Sequence, residues 1–257
     1  MSDTVIDLRN VKKAFTVHAR TDATMLSRMA DLVPSGHKRN SSRYIEAIDD
    51  VSLQVKKGEV LGVIGKNASG KTTLLRIIAG ILYPDEGSRK VIGKITPLIN
   101  LSVGLRHRLS IRDNIFLACS LYGMNQGNIH NTLSDIVEFA GIEEFIDMYP
   151  YQLSTGMSQR LSFSIAVHTA PEILLLDEVF SAGDISFQRR AQQRMTSLIR
   201  SHVTVVMASH QLDRIVNLSN KVLWLERGRV KAFGSPDEVV SAYKESSDKI
   251  KKVSFAQ

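Results

Sequence analysis

The chain has 257 residues, 43% of them hydrophobic, with a single cysteine and a formal charge of +7. That length gives room for one two-lobed domain with a sizeable core, and one thiol excludes an internal disulfide or a cysteine metal cluster. No apolar run reaches the ~18 residues of a membrane span, and Met1-Ser2-Asp3-Thr4 starts no basic-then-apolar signal region, so the product is expected to be cytosolic.

In chain order, a strand near Val5 to Val11 leads to Phe15, and residues from about 16 to 44 form an insertion that ends at Tyr44. Within it Met25, Leu26, Met29, Leu32 and Val33 recur at helical spacing after Asp22, and Pro34 and Gly36 stop the run. The apolar run Val60 to Ile64 then meets Gly65-Lys66-Asn67-Ala68-Ser69-Gly70-Lys71-Thr72, the pattern G-x-x-x-x-G-K-[ST], followed by a helical pattern from Thr72 to Leu82. Strand, glycine-rich turn and helix in this order make a phosphate-binding loop. The glycines let the backbone curl so that its N–H groups and the helix N-terminus address phosphate oxygens. Lys71 adds a cation toward the β/γ-phosphates and the Thr72 hydroxyl is placed for Mg²⁺, with Thr73 beside it. The chain is expected to bind a nucleotide.

Residues from about 105 to 170 read as helices, with Ser110-Ile111-Arg112-Asp113 as a capping box, breaks around Gly123 to Gly127 and at Tyr149-Pro150, and Cys119 as core filler. Leu153-Ser154-Thr155-Gly156-Met157 opens a helical stretch to Thr169, with Ser154 as N-cap. Ile173 to Leu176 is an apolar strand ending in Asp177-Glu178, where Asp177 would hold Mg²⁺ through water and Glu178 would orient or deprotonate an attacking water. The apolar run Val203 to Met207 leads to His210, and Val222 to Glu226 is a further strand. The strand and helix alternation predicts an α/β fold whose mixed sheet has a parallel centre. Residues 246–257 are expected to form a basic, solvated, weakly ordered tail after a single domain of residues 1–245.

The ordered set resembles the ATP-binding-cassette (ABC) ATPases over roughly residues 5–240: phosphate loop, glutamine loop, Leu153 to Met157 as signature, acidic strand, Ser181-Ala182-Gly183-Asp184 as D-loop, and His210 as switch histidine. The resemblance implies a P-loop NTPase fold with a RecA-like core, an antiparallel β part and a helical subdomain at about 105–170. It implies ATP and Mg²⁺ as ligands, with Thr72, Asn100 and Asp177 at the metal, His210 at the γ-phosphate, and Phe15 or Tyr44 stacked on adenine. It also implies a head-to-tail homodimer, in which Ser154, Thr155 and Gly156 of one subunit close over ATP held by Lys71 of the other and Asp184 links the two sites. Three positions depart from the common pattern. Ala68 replaces a glycine, which is tolerable where φ stays negative. The signature reads LSTGM where LSGGQ is commoner, and Asn100 stands at the glutamine position on a shorter stem.

The stretch Asp177 to Gln188 and the S-[ST]-G-M form of the signature are similar to ATPases that export lipid-linked polysaccharides such as O-antigen, capsule and wall teichoic acid. That subgroup implies a polytopic transmembrane permease in two copies as partner, polysaccharide handled through the permease, and a peripheral location on the cytoplasmic face of the inner membrane. Seven Lys/Arg against two acids in residues 12–43, and four Lys against two acids in 244–257, carry the whole net charge and suit an anionic lipid surface. The insertion helix either packs on the chain's own core or faces the membrane domain. An ABC ATPase for another substrate is the alternative transporter reading. A soluble ABC ATPase acting on nucleic acid would need tandem cassettes or a long coiled-coil insertion, and the sequence has neither, so no nucleic-acid partner is expected.

Overall fold

A computed structural model of the chain describes residues 3–18, 42–99, 105–177 and 184–254. Their elements are β1 (Thr4–His18), β2 (Ser42–Lys56), β3 (Val60–Ile64), α1 (Lys71–Ala79), β4 (Glu86–Val91), β5 (Ile95–Leu98), α2 (Ile111–Leu121), α3 (Gln126–Ala140), α4 (Thr155–His168), β6 (Ile173–Asp177), α5 (Ile185–Arg200), β7 (Thr204–Ala208), α6 (Leu212–Leu218), β8 (Lys221–Glu226), β9 (Arg229–Gly234) and α7 (Pro236–Ser254). Among the described residues they make a three-stranded antiparallel sheet, β2-β1-β4, and a six-stranded sheet, β5-β6-β7-β3-β8-β9. The second is parallel from β5 to β8 and antiparallel at β8-β9.

Strand periodicity sorts the core into layers. Val60 and Ile64, Leu174 and Leu176, Val205 and Met207, and Val222 and Trp224 share one face of the large sheet with Phe163 of α4, Phe187 and Met195 of α5, Ile215 of α6 and Val239 of α7. The alternate residues Leu61 and Val63, Leu175, Val206 and Leu223 point the other way, onto Leu74, Leu75, Ile77 and Ile78 of α1 and onto Ile6, Leu8, Val51 and Leu53 of the antiparallel sheet. A third cluster built from Ile111, Ile115, Cys119, Ile129, Ile136, Leu161 and Ile165 holds α2, α3 and α4 together as a helical lobe. Burying each of these large side chains contributes about 1.5–3 kcal/mol, which is why strands without polar faces can sit in the middle of the molecule.

The local signals for α2 and α4 hold. The Ser110 hydroxyl accepts the Asp113 N–H at 3.1 Å and donates to the Asp113 carboxylate at 2.7 Å, and the Ser154 hydroxyl accepts the Met157 N–H at 3.2 Å. Three boundaries differ from expectation. Helix α1 stops at Ala79 because Gly80 turns left-handed at φ 75 and returns its N–H to Arg76 and Ile77 carbonyls. Strands β1 and β2 stay paired out to Val17 with Arg43 and His18 with Ser42, so residues 16–18 and 42–44 belong to the ribbon. The predicted helix from Asp22 to Val33 lies outside the described residues.

The third difference corrects the expected C-terminal loop. Residues 246–254 continue α7 without a break. Ser235 accepts the Val239 N–H with its carbonyl at 3.1 Å, its hydroxyl donates to Glu238 at 2.7 Å, and Pro236 opens the first turn.

Candidate nucleotide site

The neighbours β6, β7 and β3 run parallel, with Asp177 paired to Ala208 and Val63 paired to Ala208. Their carboxyl ends therefore open at one edge, the place where open α/β sheets take ligands. β3 delivers the phosphate loop there, β6 delivers Asp177, and β7 delivers His210 two residues beyond its end.

The loop keeps its shape through its two glycines. At Gly65, φ 150, an added Cβ would lie 2.3 Å from the Leu225 carbonyl oxygen; at Gly70, φ 106, it would lie 2.4 Å from the Ala47 carbonyl oxygen. Gly70 is also the N-cap of α1 and offers no side-chain hydrogen bond to the first turn. The helix N-terminus thus keeps its N–H groups for an incoming anion. Lys71, buried at 6% exposure, turns its ammonium over the loop and donates to the Gly65 carbonyl at 2.9 Å and the Lys66 carbonyl at 3.2 Å. The Thr72 hydroxyl donates to the Asp177 carboxylate at 2.6 Å, joining two residues 105 positions apart; Thr73 follows in α1, half-buried. Lys66, Asn67 and Ala68 are exposed, and Ser69 is buried.

Ala68 does not satisfy the condition placed on it. Its φ is 60, so the alanine sits in the left-handed region at a cost of about 1–2 kcal/mol that glycine would not incur. The glycine usual at this position in the family is the mark of such a backbone conformation.

The cradle fits a nucleotide phosphate by its chemistry. It offers the N–H groups at the α1 N-terminus, which no side chain caps, an ammonium bonded to loop carbonyls, and a hydroxyl and carboxylate in contact. Among the described residues no group of three His, Cys, Asp or Glu could hold a metal by itself. Thr72 and Asp177 alone suit a cation such as Mg²⁺ that keeps water and substrate phosphates as its remaining ligands. Two further candidates, Asn100 and Glu178, lie outside the described residues.

His210 is exposed, and the turn below it is set by the Ser209 hydroxyl accepting the Gln211 N–H at 3.0 Å. Phe15 and Tyr44 are 38% and 72% exposed. Phe15 pairs with Ile45 and Thr16 with Tyr44, so Phe15 and Tyr44 lie on opposite faces of the ribbon and only one of them can face a given base. The Lys13 ammonium lies 5.8 Å from the centre of the Phe15 ring.

The signature residues sit on the helical lobe. Ser154 and Thr155 are exposed and Gly156 is half-buried, with nothing closer to a Cβ built on Gly156 than the Ser154 hydroxyl at 4.0 Å. This second helix N-terminus is open to a partner rather than folded into the β3-α1 junction. Asp184 is the N-cap of α5, where its carboxylate accepts the Ser186 hydroxyl at 2.6 Å and the Phe187 N–H at 2.8 Å. Arg160 of α4 approaches the same carboxylate at 3.5 Å. These contacts, the Ser186 hydroxyl foremost, hold the Asp184 carboxyl below the usual range. The tie from the signature helix to Asp184 was not foreseen from the sequence; only the spacing Asp184-Ile185-Ser186-Phe187 signals the cap.

Residues 48–181 match the family model described as ABC transporter. The chain is 37% identical over 238 residues to the teichoic acids export ATP-binding protein TagH of Shouchella clausii, covering 93% of this chain and 64% of that protein's length. It is 31% identical over 247 residues to the O-antigen export system ATP-binding protein RfbB of Klebsiella pneumoniae, covering 94% of this chain and 98% of that one. Among solved structures it is similar to a dimeric ATP-binding cassette in a post-hydrolysis state bound to ADP and Pi, with a TM-score of 0.72 at 22% identity over 90% of this chain and 98% of that one. An ATP-binding subunit of an ABC transporter gives a TM-score of 0.73 at 19% identity, with 93% of each chain covered.

Proposed function

From the premise that the chain belongs to the ABC transporter family and is an ATP-binding ATPase of its fold, we propose that it powers export of a lipid-linked polysaccharide. The observation that carries this reading is the alignment with the O-antigen export protein RfbB along nearly the whole length of both chains, together with the Thr72 to Asp177 contact at the nucleotide edge.

In the mechanism that this geometry supports, the loop N–H groups from Gly65 to Thr72 hold the ATP phosphates, and Lys71 exchanges the Gly65 and Lys66 carbonyls for the β/γ-phosphates. Thr72 and Asp177 would hold Mg²⁺, whose charge would offset that of the phosphates. Asn100, at the glutamine position, would complete that side. Glu178 takes a proton from the attacking water and His210 positions the γ-phosphate. Ser154, Thr155 and Gly156 of the second subunit of a homodimer close the site with their helix N-terminus, so binding shifts the pair toward a closed arrangement and hydrolysis releases it. Asp184, which Arg160 of the signature helix approaches at 3.5 Å, links the two sites across that interface. A polytopic permease in two copies receives the motion at the cytoplasmic face of the inner membrane. Among the described residues no helix is long and apolar enough to cross a membrane, in keeping with a subunit that relies on a separate permease.

Replacing the gene in its source organism tests the reading. Loss of the chain should abolish surface polysaccharide and leave precursor inside, the wild-type gene should restore export, and Glu178→Gln should not. Normal surface polysaccharide in cells that carry only Glu178→Gln would overturn it.

A further inference from the structure

A cleft of about 250 Å³ lies between the phosphate loop and the C-terminal helix. One wall is Lys66 to Ser69 of the loop, another is Trp224 to Arg227 at the end of β8, and the third is Tyr243, Ser246 and Ser247 of α7. Its base is aromatic, with Trp224 at 6% exposure and Tyr243 edge-on to it at 5.3 Å. Its other groups are polar: the ammonium of Lys66, the guanidinium of Arg227, the amide of Asn67 and two serine hydroxyls. The one carboxylate, Glu226, stands 3.6 Å from Lys231, so the cleft is cationic on balance.

Ser69, 4% exposed, has a buried hydroxyl with no hydrogen-bond partner, and it packs beneath Gly65 inside the loop. Ala68 of the phosphate loop faces Arg227, which lies in the two-residue turn joining β8 to β9, where positive φ at Arg227 and Gly228, 51 and 79, is what the hairpin requires. The loop is tied to the far wall by the Gly228 N–H, which donates to the Ser69 carbonyl at 2.9 Å.

We propose that this cleft binds a small phosphomonoester, between glycerol phosphate and a hexose phosphate in size, and that its occupancy tunes nucleotide affinity. The two cations match a phosphate dianion, the serine hydroxyls and Asn67 donate to its remaining oxygens and ester body, and the aromatic base takes the carbon face. The Lys66 to Ser69 segment lines this cleft and is part of the phosphate loop, so a ligand that stiffens the segment changes ATP affinity, and ATP changes the ligand's affinity by the same factor. This reading stands whatever substrate the transporter exports.

Trp224 is the chain's single tryptophan, so its fluorescence reports on the cleft directly. The full chain, saturated with ADP to fill the phosphate cradle, is titrated with glycerol 3-phosphate, glucose 6-phosphate, inorganic phosphate, glycerol, and vesicles with or without phosphatidate. The expected result is a saturable change with the phosphate esters and none with glycerol. Arg227→Gln and Ser247→Ala should each weaken it by roughly ten-fold, the scale of a charge-assisted hydrogen bond, with ATP turnover in the absence of ester unchanged. A response to phosphatidate vesicles without one to the soluble esters would place the same phosphomonoester on a lipid head group. Absence of a saturable response to every probe, or a response of unchanged affinity in both variants, would overturn the proposal, and saturation by inorganic phosphate alone would reduce the cleft to an adventitious ion site.

Discussion

Gly70→Ala tests how the phosphate loop is held. The new Cβ would sit 2.4 Å from the Ala47 carbonyl oxygen on β2, with the Ile48 side chain at 3.0 Å, and φ is 106. A backbone oxygen cannot swing aside as a side chain can, so either the loop or β2 must move. Left-handed strain costs about 1–2 kcal/mol and forced overpacking about 1–3 kcal/mol. The stiffer unfolded chain returns about 0.4–1 kcal/mol, leaving a net loss of roughly 2–4 kcal/mol. At about 2–4 °C per kcal/mol for a domain of this size, the thermal midpoint should fall by roughly 5–15 °C. Chemical denaturation gives the stability and ADP titration gives the affinity, which should fall as well because Gly70 sets the direction of the first N–H groups of α1. A variant within 0.5 kcal/mol of wild type that binds ADP normally would refute the reasoning.

Gly156→Ala is the contrasting case: the space above it is open, so stability should hold or rise by up to ~1 kcal/mol, while ATP turnover falls because the methyl group meets the partner's phosphate. A stable variant with full turnover would remove Gly156 from the site. Ala68→Gly should relieve the left-handed alanine and raise stability by up to about 1 kcal/mol, measured by urea denaturation; a loss would contradict the φ argument. Burial pushes the Cys119 thiol up to about 11, so a thiol reagent at pH 8 should label the native chain slowly and the unfolded chain at once. Stability from this group is fully present below the unfolded thiol's ordinary pKa and is lost as pH rises through about 11, and rapid native labelling at pH 8 would contradict its burial. Asp177→Asn should abolish the Mg²⁺ dependence of nucleotide affinity while leaving Mg²⁺-free binding near wild type; a persistent Mg²⁺ dependence would free Asp177 of that role.

What could be read from sequence was what local chemistry decides. The octet from Gly65 to Thr72 needs only its own glycines and the flanking β3 and α1 patterns, and Ser110 and Ser154 cap helices three residues away. The contact of Thr72 with Asp177 was implied by their shared chemistry, but the parallel pairing of β6 with β7 and of β7 with β3 is what brings it about. Features set by tertiary closure were not legible. The Arg160 approach to Asp184 depends on α4 packing on α5. Helix α7 runs into the expected tail because its start is set at Ser235 and Pro236, well before the charged residues 244–257. The ribbon of β1 and β2 outran its expected ends because strand pairing, unlike strand propensity, is a property of two segments at once.

The measurement that reaches the central claim most directly is ATP turnover in a mixed dimer, with Lys71→Ala on one chain and Ser154→Arg on the other. Each homodimer of either variant should be inactive. If Lys71 of one subunit and Ser154 of the other share a site, the mixture places both lesions in one site and leaves the second intact, so purified heterodimers should bind ATP and retain turnover at up to roughly half the wild-type rate. Turnover no higher than that of the two homodimers would contradict the head-to-tail sharing from which the transport mechanism is built.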